Sequence, residues 1–308
     1  MVCESQISFV VQGKFNDTTI KLLKDIKRFY PNSPVILSVW DGCKVVSDNY
    51  DTLVRNADPG GFSNLNVYLN VNRQIVSSYN GLCEVNTEYC IKLRSDMRIS
   101  SPKIISNLEY SNSLHREVLD NESWVTVINL TTYNINVIRK PLAICDWVFL
   151  GKTSDVKKFF AIEHYPQSYF EYFTNAPNVY GDMTSQRYSA EQWIIYSRYK
   201  ELMDSKGIKF AFCFDDNNEL IKFHRALLAN EIRVVGISDI GLYSEKYKIY
   251  NFGMSRMLSK SEWVIEYSRY HSIKPNPLLF IDITRVFYNF ISNKLLRGFC
   301  KGFLRFIR

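Results

Sequence analysis

The chain has 308 residues, 46% of them hydrophobic and 15% aromatic, with 13 glycines and 9 prolines, a makeup that excludes a disordered, collagen-like or low-complexity protein. Its 38 lysines and arginines against 31 acidic residues leave a net charge of +7, modest over this length and concentrated at the C-terminal end. A chain this long can bury a sizeable core, and one main domain is expected.

The apolar run Ile7 to Val11 ends in Gln12 and Gly13 and reads as a buried strand. Thr18 to Phe29 follows, with Ile20, Leu22, Leu23 and Ile26 at helical spacing. Pro31 and Pro34 stop that helix, and VILSV (Val35 to Val39) is the next strand, closed by the polar turn Trp40, Asp41, Gly42. Strand, helix and strand make a βαβ unit, whose crossover favours parallel pairing. Asp58 to Gly61 is a loop, a second helix is expected over Leu69 to Leu82, and the strand in EYCIKLRSDMRI terminates at Arg94, Ser95 and Asp96. Further strands are expected at Trp124 to Leu130, Asp146 to Gly151 and Lys209 to Phe214, with helices at Ala190 to Met203 and in ELIKFHRALL. No internal repeat or long linker interrupts the chain.

The seven cysteines (Cys3, Cys43, Cys83, Cys90, Cys145, Cys213, Cys300) include no CxxC pair, so reduced and mostly buried thiols in a cytoplasmic protein are the simple reading. MVCESQISFVVQG has no basic segment followed by a long apolar stretch and a cleavage site. No uncharged apolar run approaches the roughly 20 residues that span a bilayer. The expectation is a protein neither secreted nor transmembrane, with a membrane surface still open to it.

In an open α/β sheet, ligands bind beyond the carboxyl ends of the strands. Gln12 and Gly13, Trp40 and Asp41, and Arg94, Ser95, Asp96 and Arg98 all follow apolar strands, while Asp146 precedes one. Asp96 at a strand end can hold Mg²⁺ or Mn²⁺ bridging nucleotide phosphates, or can simply cap a turn or helix. Arg73 in NVNRQIV can pair with phosphate through its guanidinium fork, or can lie on a solvated helix face.

Taken together, VVQGKF, VILSVWDG, NVNRQIVSSYNGL and YCIKLRSDMRI resemble, in order and separation, the WavE lipopolysaccharide-synthesis family, and more broadly the glycosyltransferase A fold. The resemblance is strongest from Ile7 to Arg98, continues through CDWVFLG and the AEQ segment, and fades after about Asn230. It implies an α/β chain with a single Rossmann-like, glycosyltransferase A-type domain and a mixed central sheet, followed by an amphipathic helical tail. Its boundaries would be 1–275 for the catalytic domain (1–100 for the nucleotide-sugar half, 101–275 for the acceptor half) and 276–308 for the tail.

The resemblance also implies roles for residues. Gln12 and Gly13 would lie near the sugar nucleotide, Asp41 at the base or ribose, and Asn72 and Arg73 near the base and diphosphate with Gln74 in support. Asp96 would match the last acid of a metal motif whose first acid is here Arg94, so a divalent ion at Asp96 is an open expectation, and Arg94 or Arg98 can instead neutralise the leaving diphosphate. Glu191, opening a helix in YSAEQWII, would be the base that takes the acceptor hydroxyl proton in an inverting transfer. Ser189 to Gln192 also reads as a capping box in which Gln192 reaches back and Glu191 merely favours the helix dipole. Asp146 and Trp147 would line the cleft, or be a capping acid and a core aromatic. His224 is the histidine best placed by order to complete a metal shell, although a core or surface role suits its helical setting as well.

The tail carries Lys294, Arg297, Lys301, Arg305 and Arg308 in one stripe, and Ile291, Leu295, Phe299 and Phe303 in another beside it. This is the pattern of an interfacial helix on anionic lipid, at about 1 kcal/mol per basic residue. The apolar stripe can equally pack on the domain or on a second subunit; no nucleic-acid module accompanies the charge. The expected function is transfer of a sugar, from a UDP-sugar in the first instance, to a lipid-linked or lipopolysaccharide-type glycan. The enzyme would be cytoplasmic and peripheral on the inner face of the plasma membrane. A nucleotidyltransferase would want a glycine-rich loop after the first strand, where QGKFND has one glycine. A non-catalytic glycan-assembly adaptor is the alternative of another class.

Overall fold

The computed structural model describes residues 2–63, 68–173, 186–245 and 256–274. The basic tail lies outside them. In chain order the elements are β1 (Ile7–Gln12), α1 (Asp17–Phe29), β2 (Val35–Trp40), β3 (Thr52–Asn56), β4 (Phe62–Ser63), β5 (Tyr68–Leu69), α2 (Val71–Cys83), β6 (Tyr89–Arg94), β7 (Arg98–Ile99) and α3 (Ile104–Asn112). They continue as β8 (Val125–Ile128), β9 (Val148–Lys152), α4 (Thr153–Lys158), α5 (Gln167–Phe170), α6 (Ala190–Ser205), α7 (Asn218–Asn230), β10 (Ile232–Val235), β11 (Leu242–Tyr243) and α8 (Lys260–Tyr270).

Seven strands form the central sheet in the order β3-β2-β1-β6-β9-β8-β10. β1 pairs in parallel with β2 and β6, β2 with β3, and β8 with β10. β9 runs antiparallel to both β6 and β8. The α/β class and the mixed sheet are therefore as expected. The reversal of β9 has a geometric consequence: its amino end lies at the same sheet edge as the carboxyl ends of β1, β2, β6, β8 and β10. Gln12 pairs with Arg94, and Leu93 with Val148, so the first residues past β6 and before β9 face each other at that edge.

The inner strands β1, β6 and β9 are buried on both sides because helices cover both faces. Phe9, Val11, Ile91, Leu93, Val148 and Leu150 pack with Leu22, Leu23 and Ile26 of α1 and Leu108 of α3. Val10, Cys90 and Phe149 pack on the other face with Ile75 and Leu82 of α2, Ile194 and Tyr199 of α6, and Trp263 of α8. Burying side chains of this size stabilises by about 1.5–3 kcal/mol each. A Cβ on Gly81 would stand 2.7 Å from Val10 Cγ1, so a bare glycine is what lets α2 lie close on β1.

Side-chain caps fix the starts of α1, α6, α7 and α8. The Asn16 side chain accepts from Thr19 N at 3.1 Å, and Thr19 Oγ1 accepts from Asn16 N at 3.1 Å, which fixes the first turn of α1. In α6, Ser189 N donates to Gln192 Oε1 at 3.1 Å and Gln192 N to Ser189 Oγ at 3.4 Å. The capping box is thus real, and it leaves the Glu191 side chain outside it.

One strand of the sequence reading is not a strand, and two strands of the central sheet, β3 and β10, have no counterpart in that reading. Lys209 to Phe214 is not a strand but an irregular segment whose carbonyls at Phe210 and Ala211 accept from Tyr188 Oη and Arg187 Nε. The edge strand of that half is instead β10, which follows α7 directly.

Candidate functional site at the sheet edge

The loops after β1 and β6 are joined to each other. Ser95 N donates to Gln12 O at 2.9 Å, and Ser95 Oγ to Lys14 O at 2.8 Å. Gly13 between them has φ +124°, a region that favours glycine, and a Cβ there would lie 3.0 Å from Ser95 Oγ. Gln12 is buried, and its Oε1 accepts from Ser77 Oγ of α2 at 2.7 Å. Gln12 and Gly13 therefore build the floor of the edge.

Arg94 occupies the centre. Its Nε and Nη2 donate to the two carboxylate oxygens of Asp96 at 3.0 and 2.7 Å, and its guanidinium lies 4.0 Å from the Trp147 ring centre. Stacking and fork together hold a permanent cation at the carboxyl end of β6. Beneath it Lys92, fully buried, donates from Nζ to Asp146 O at 2.6 Å. Gln74 Nε2, from α2, reaches the same carbonyl at 2.7 Å.

Asp146 is buried, and its Oδ1 has no hydrogen-bond partner among the described residues. Burial pushes its carboxyl well above the ordinary carboxylate range, and the charge of Glu191 adds to that rise against the opposing pull of Lys92. Burial likewise pulls the Lys92 amine below the usual lysine range. Glu191 is close enough to act electrostatically on both Asp146 and Tyr133. It is half-buried, and among the described residues its carboxylate makes no hydrogen bond or ion pair. Residues from both halves of the chain, Arg94 and Asp96 on one side and Asp146, Trp147 and Glu191 on the other, thus meet at one edge.

Other expected site residues have structural commitments. Asn72 accepts from Tyr165 N at 2.6 Å and donates to Tyr165 O at 3.2 Å, so both ends of its amide clamp a distant backbone rather than face a nucleotide. Arg73 is forked by Asp58 at 2.7 Å through both Nε and Nη2, and it also bonds Asn70 and Tyr68. Asp41 is an exposed turn residue. Arg98 is forked by Asp25 of α1 at 2.6 and 3.1 Å and paired with Glu245, so of the two arginines weighed against the diphosphate, Arg94 is the one at the edge.

His224 is fully buried in α7 with Nδ1 accepting from Leu142 N at 3.2 Å, and burial pulls its pKa down to about 4. It is a core histidine. Asp96 offers one carboxylate with both oxygens already taken by Arg94, and among the described residues no three His, Cys, Asp or Glu side chains form a group that could hold a metal ion. An ion bridging nucleotide phosphates at Asp96 would have to compete with the Arg94 fork for that carboxylate. Lys92 was missed in the sequence, although a single lysine inside the apolar run YCIKL is a readable signal. No helix among the described residues is long and apolar enough to cross a membrane.

No curated protein matches the chain. A solved structure, that of 4-diphosphocytidyl-2C-methyl-D-erythritol synthase from Anaerococcus prevotii, is similar over 55% of this chain and 82% of its own, at 11% identity and a TM-score of 0.32. The family model for WavE lipopolysaccharide synthesis matches residues 7–300, and the chain belongs to that family.

Proposed function

We propose that the protein is a glycosyltransferase of lipopolysaccharide synthesis that moves a sugar from a nucleotide donor, UDP in the first instance, to a lipid-linked or lipopolysaccharide-type glycan. The observation that carries this reading is the meeting of Arg94, Asp96, Asp146, Trp147 and Glu191 at one sheet edge. A cation held by stacking and a fork is suited to a diphosphate, and an aromatic face beside it to a sugar ring.

In this reading Glu191 takes the proton of the acceptor hydroxyl as its oxygen bonds to the anomeric carbon. The bond from that carbon to the diphosphate breaks on the opposite face, and the nucleoside diphosphate leaves with the electron pair, its charge met by Arg94. The result is inversion. The nucleotide half would be 1–100, with Gln12, Gly13, Ser95 and, at the rim, Asp41 around the donor. The acceptor half would be 101–275. The stripe of Lys294, Arg297, Lys301, Arg305 and Arg308 in 276–308 would dock the enzyme on anionic lipid at the inner face of the membrane.

The test is a thermal-shift screen with UDP, GDP, CMP and dTDP, each with and without Mn²⁺, followed by donor turnover. A ligand that binds the folded state alone raises the midpoint by mass action. A rise with one nucleotide that does not require Mn²⁺ is the expected result. A strict requirement for Mn²⁺ would return Asp96 to a metal role, and no rise with any nucleotide would favour the non-catalytic adaptor.

A further inference from the structure

Lys92 stands in the middle of β6 between Val10 and Phe149, both fully buried, and is itself 0% exposed. An amine in such a place is costly, and an apolar side chain of similar volume would serve packing alone at least as well. Its contacts show what it does instead. Nζ lies 4.8 Å from the Phe160 ring centre and 5.8 Å from that of Phe149, and its hydrogen bond goes to Asp146 O at 2.6 Å. Gln74, reaching down from α2, takes the same carbonyl at 2.7 Å. Two donors from two elements thus fill both lone pairs of one backbone oxygen at the amino end of β9. The next residue is Trp147, whose ring carries the Arg94 guanidinium.

We propose that Lys92 and Gln74 are positioning residues that pin the Asp146 carbonyl, so that Trp147 holds Arg94 where the donor's diphosphate binds. The inference rests on the nucleotide-sugar reading of the edge. A primary amine donates a hydrogen bond whether charged or neutral, so the pin does not depend on Lys92 keeping its proton. Nothing in it requires Lys92 to touch substrate, which its burial forbids.

The test uses the full chain with Lys92→Met, which keeps the volume of the side chain and removes the donor, and with Gln74→Met on a half-buried face. Amide hydrogen exchange over residues 145–150 is read first, and calorimetric affinities for UDP and for uridine second. For Lys92→Met the expected outcome is exchange at Asp146 and Trp147 faster by about tenfold, with UDP weakened by about tenfold and uridine unchanged. Unchanged exchange overturns the proposal. So does an equal weakening of UDP and uridine, which would mark a general loosening of the fold. Should Lys92→Met fail to fold, Gln74→Met carries the same outcomes. If the unaltered protein binds neither UDP nor uridine, the nucleotide reading fails, and the exchange measurement alone decides whether the pin exists.

Discussion

Arg94 is held from two sides, by the Trp147 ring 4.0 Å away and by the Asp96 carboxylate at 2.7 and 3.0 Å. The first contact reaches across from β9 to β6, and the second stays within the turn after β6. A guanidinium pinned this way loses little freedom on meeting an anion, which is why preorganised charge is effective. Lysine can reproduce neither the planar stack nor the fork. Arg94→Lys should therefore weaken binding of the nucleoside diphosphate by about tenfold to a hundredfold, nearly as much as Arg94→Ala, while leaving the nucleoside alone unaffected. Calorimetry with the two ligands measures this, and a Lys variant that binds like the unaltered protein would sink the role.

The carboxylate of Glu231, 0% exposed, is a structural hub of the second half of the chain. It accepts from Arg116 Nη2 at 2.7 Å and from the backbone N–H groups of Leu119, Asp120 and Asn121 at 3.0, 3.1 and 2.7 Å. Removing it leaves a partly buried cation and three inward-facing N–H groups without an acceptor. Glu231→Ala should cost about 3–5 kcal/mol in chemical denaturation. A loss below about 1 kcal/mol would show that water replaces the carboxylate.

His224 makes stability depend on pH. Its folded pKa is pulled down to about 4 by burial and, secondarily, by Arg225, against an ordinary value of 6.5. The unfolded chain therefore binds a proton that the native chain refuses between those values, and stability falls as pH is lowered through that window. The full effect is on the order of 3 kcal/mol. Replacing His224 with Asn, which keeps an acceptor for Leu142 N, should flatten the slope of unfolding free energy between pH 6.5 and 4 whatever it does to the absolute stability. An unchanged slope would place the proton uptake elsewhere.

The elements near the site were readable because their residues announce themselves. ISFVVQ and VILSVW are short, mostly apolar runs ended by polar turns, and α1 has an amphipathic face. β10 was not readable because α7 runs into IRVV with no glycine or proline between them. KFAFCF carries strand-like residues but finds no strand partner in the sheet. At the site, Arg94, Asp96 and Asp146 were visible as polar residues at strand ends. The partner of Asn72, Tyr165, is 93 residues away, a pairing that no local pattern encodes.

The basic tail gives a prediction from sequence alone. Deleting residues after about Phe287 removes all of Lys294, Arg297, Lys301, Arg305 and Arg308. Binding to vesicles containing anionic lipid should be lost, at about 1 kcal/mol for each basic residue removed, while the thermal midpoint holds. Co-sedimentation measures the first and calorimetry the second. Retained binding would defeat the membrane role, and a fallen midpoint would mean that the tail packs on the domain.

Glu191 offers the sharpest separation of chemistry from folding. Its neighbour Gln192 makes the cap, and Gln192 Nε2 also donates to Pro141 O at 2.8 Å and Cys213 O at 2.9 Å, so the start of α6 is anchored without Glu191. Glu191→Gln preserves shape and removes the charge and the proton acceptor. If Glu191 is the base, turnover of the donor in the presence of acceptor should fall by about 10²–10⁴-fold, with nucleotide affinity and thermal midpoint essentially unchanged. Because the Glu191 charge also raises the Asp146 carboxyl, the variant should in addition bring Asp146 back toward the ordinary carboxylate range, a shift readable by carbon-detected NMR of labelled aspartate. A Gln variant with full turnover would leave Asp146 as the carboxyl to test next, whereas lost turnover with a lowered midpoint would mean that Glu191 serves the fold.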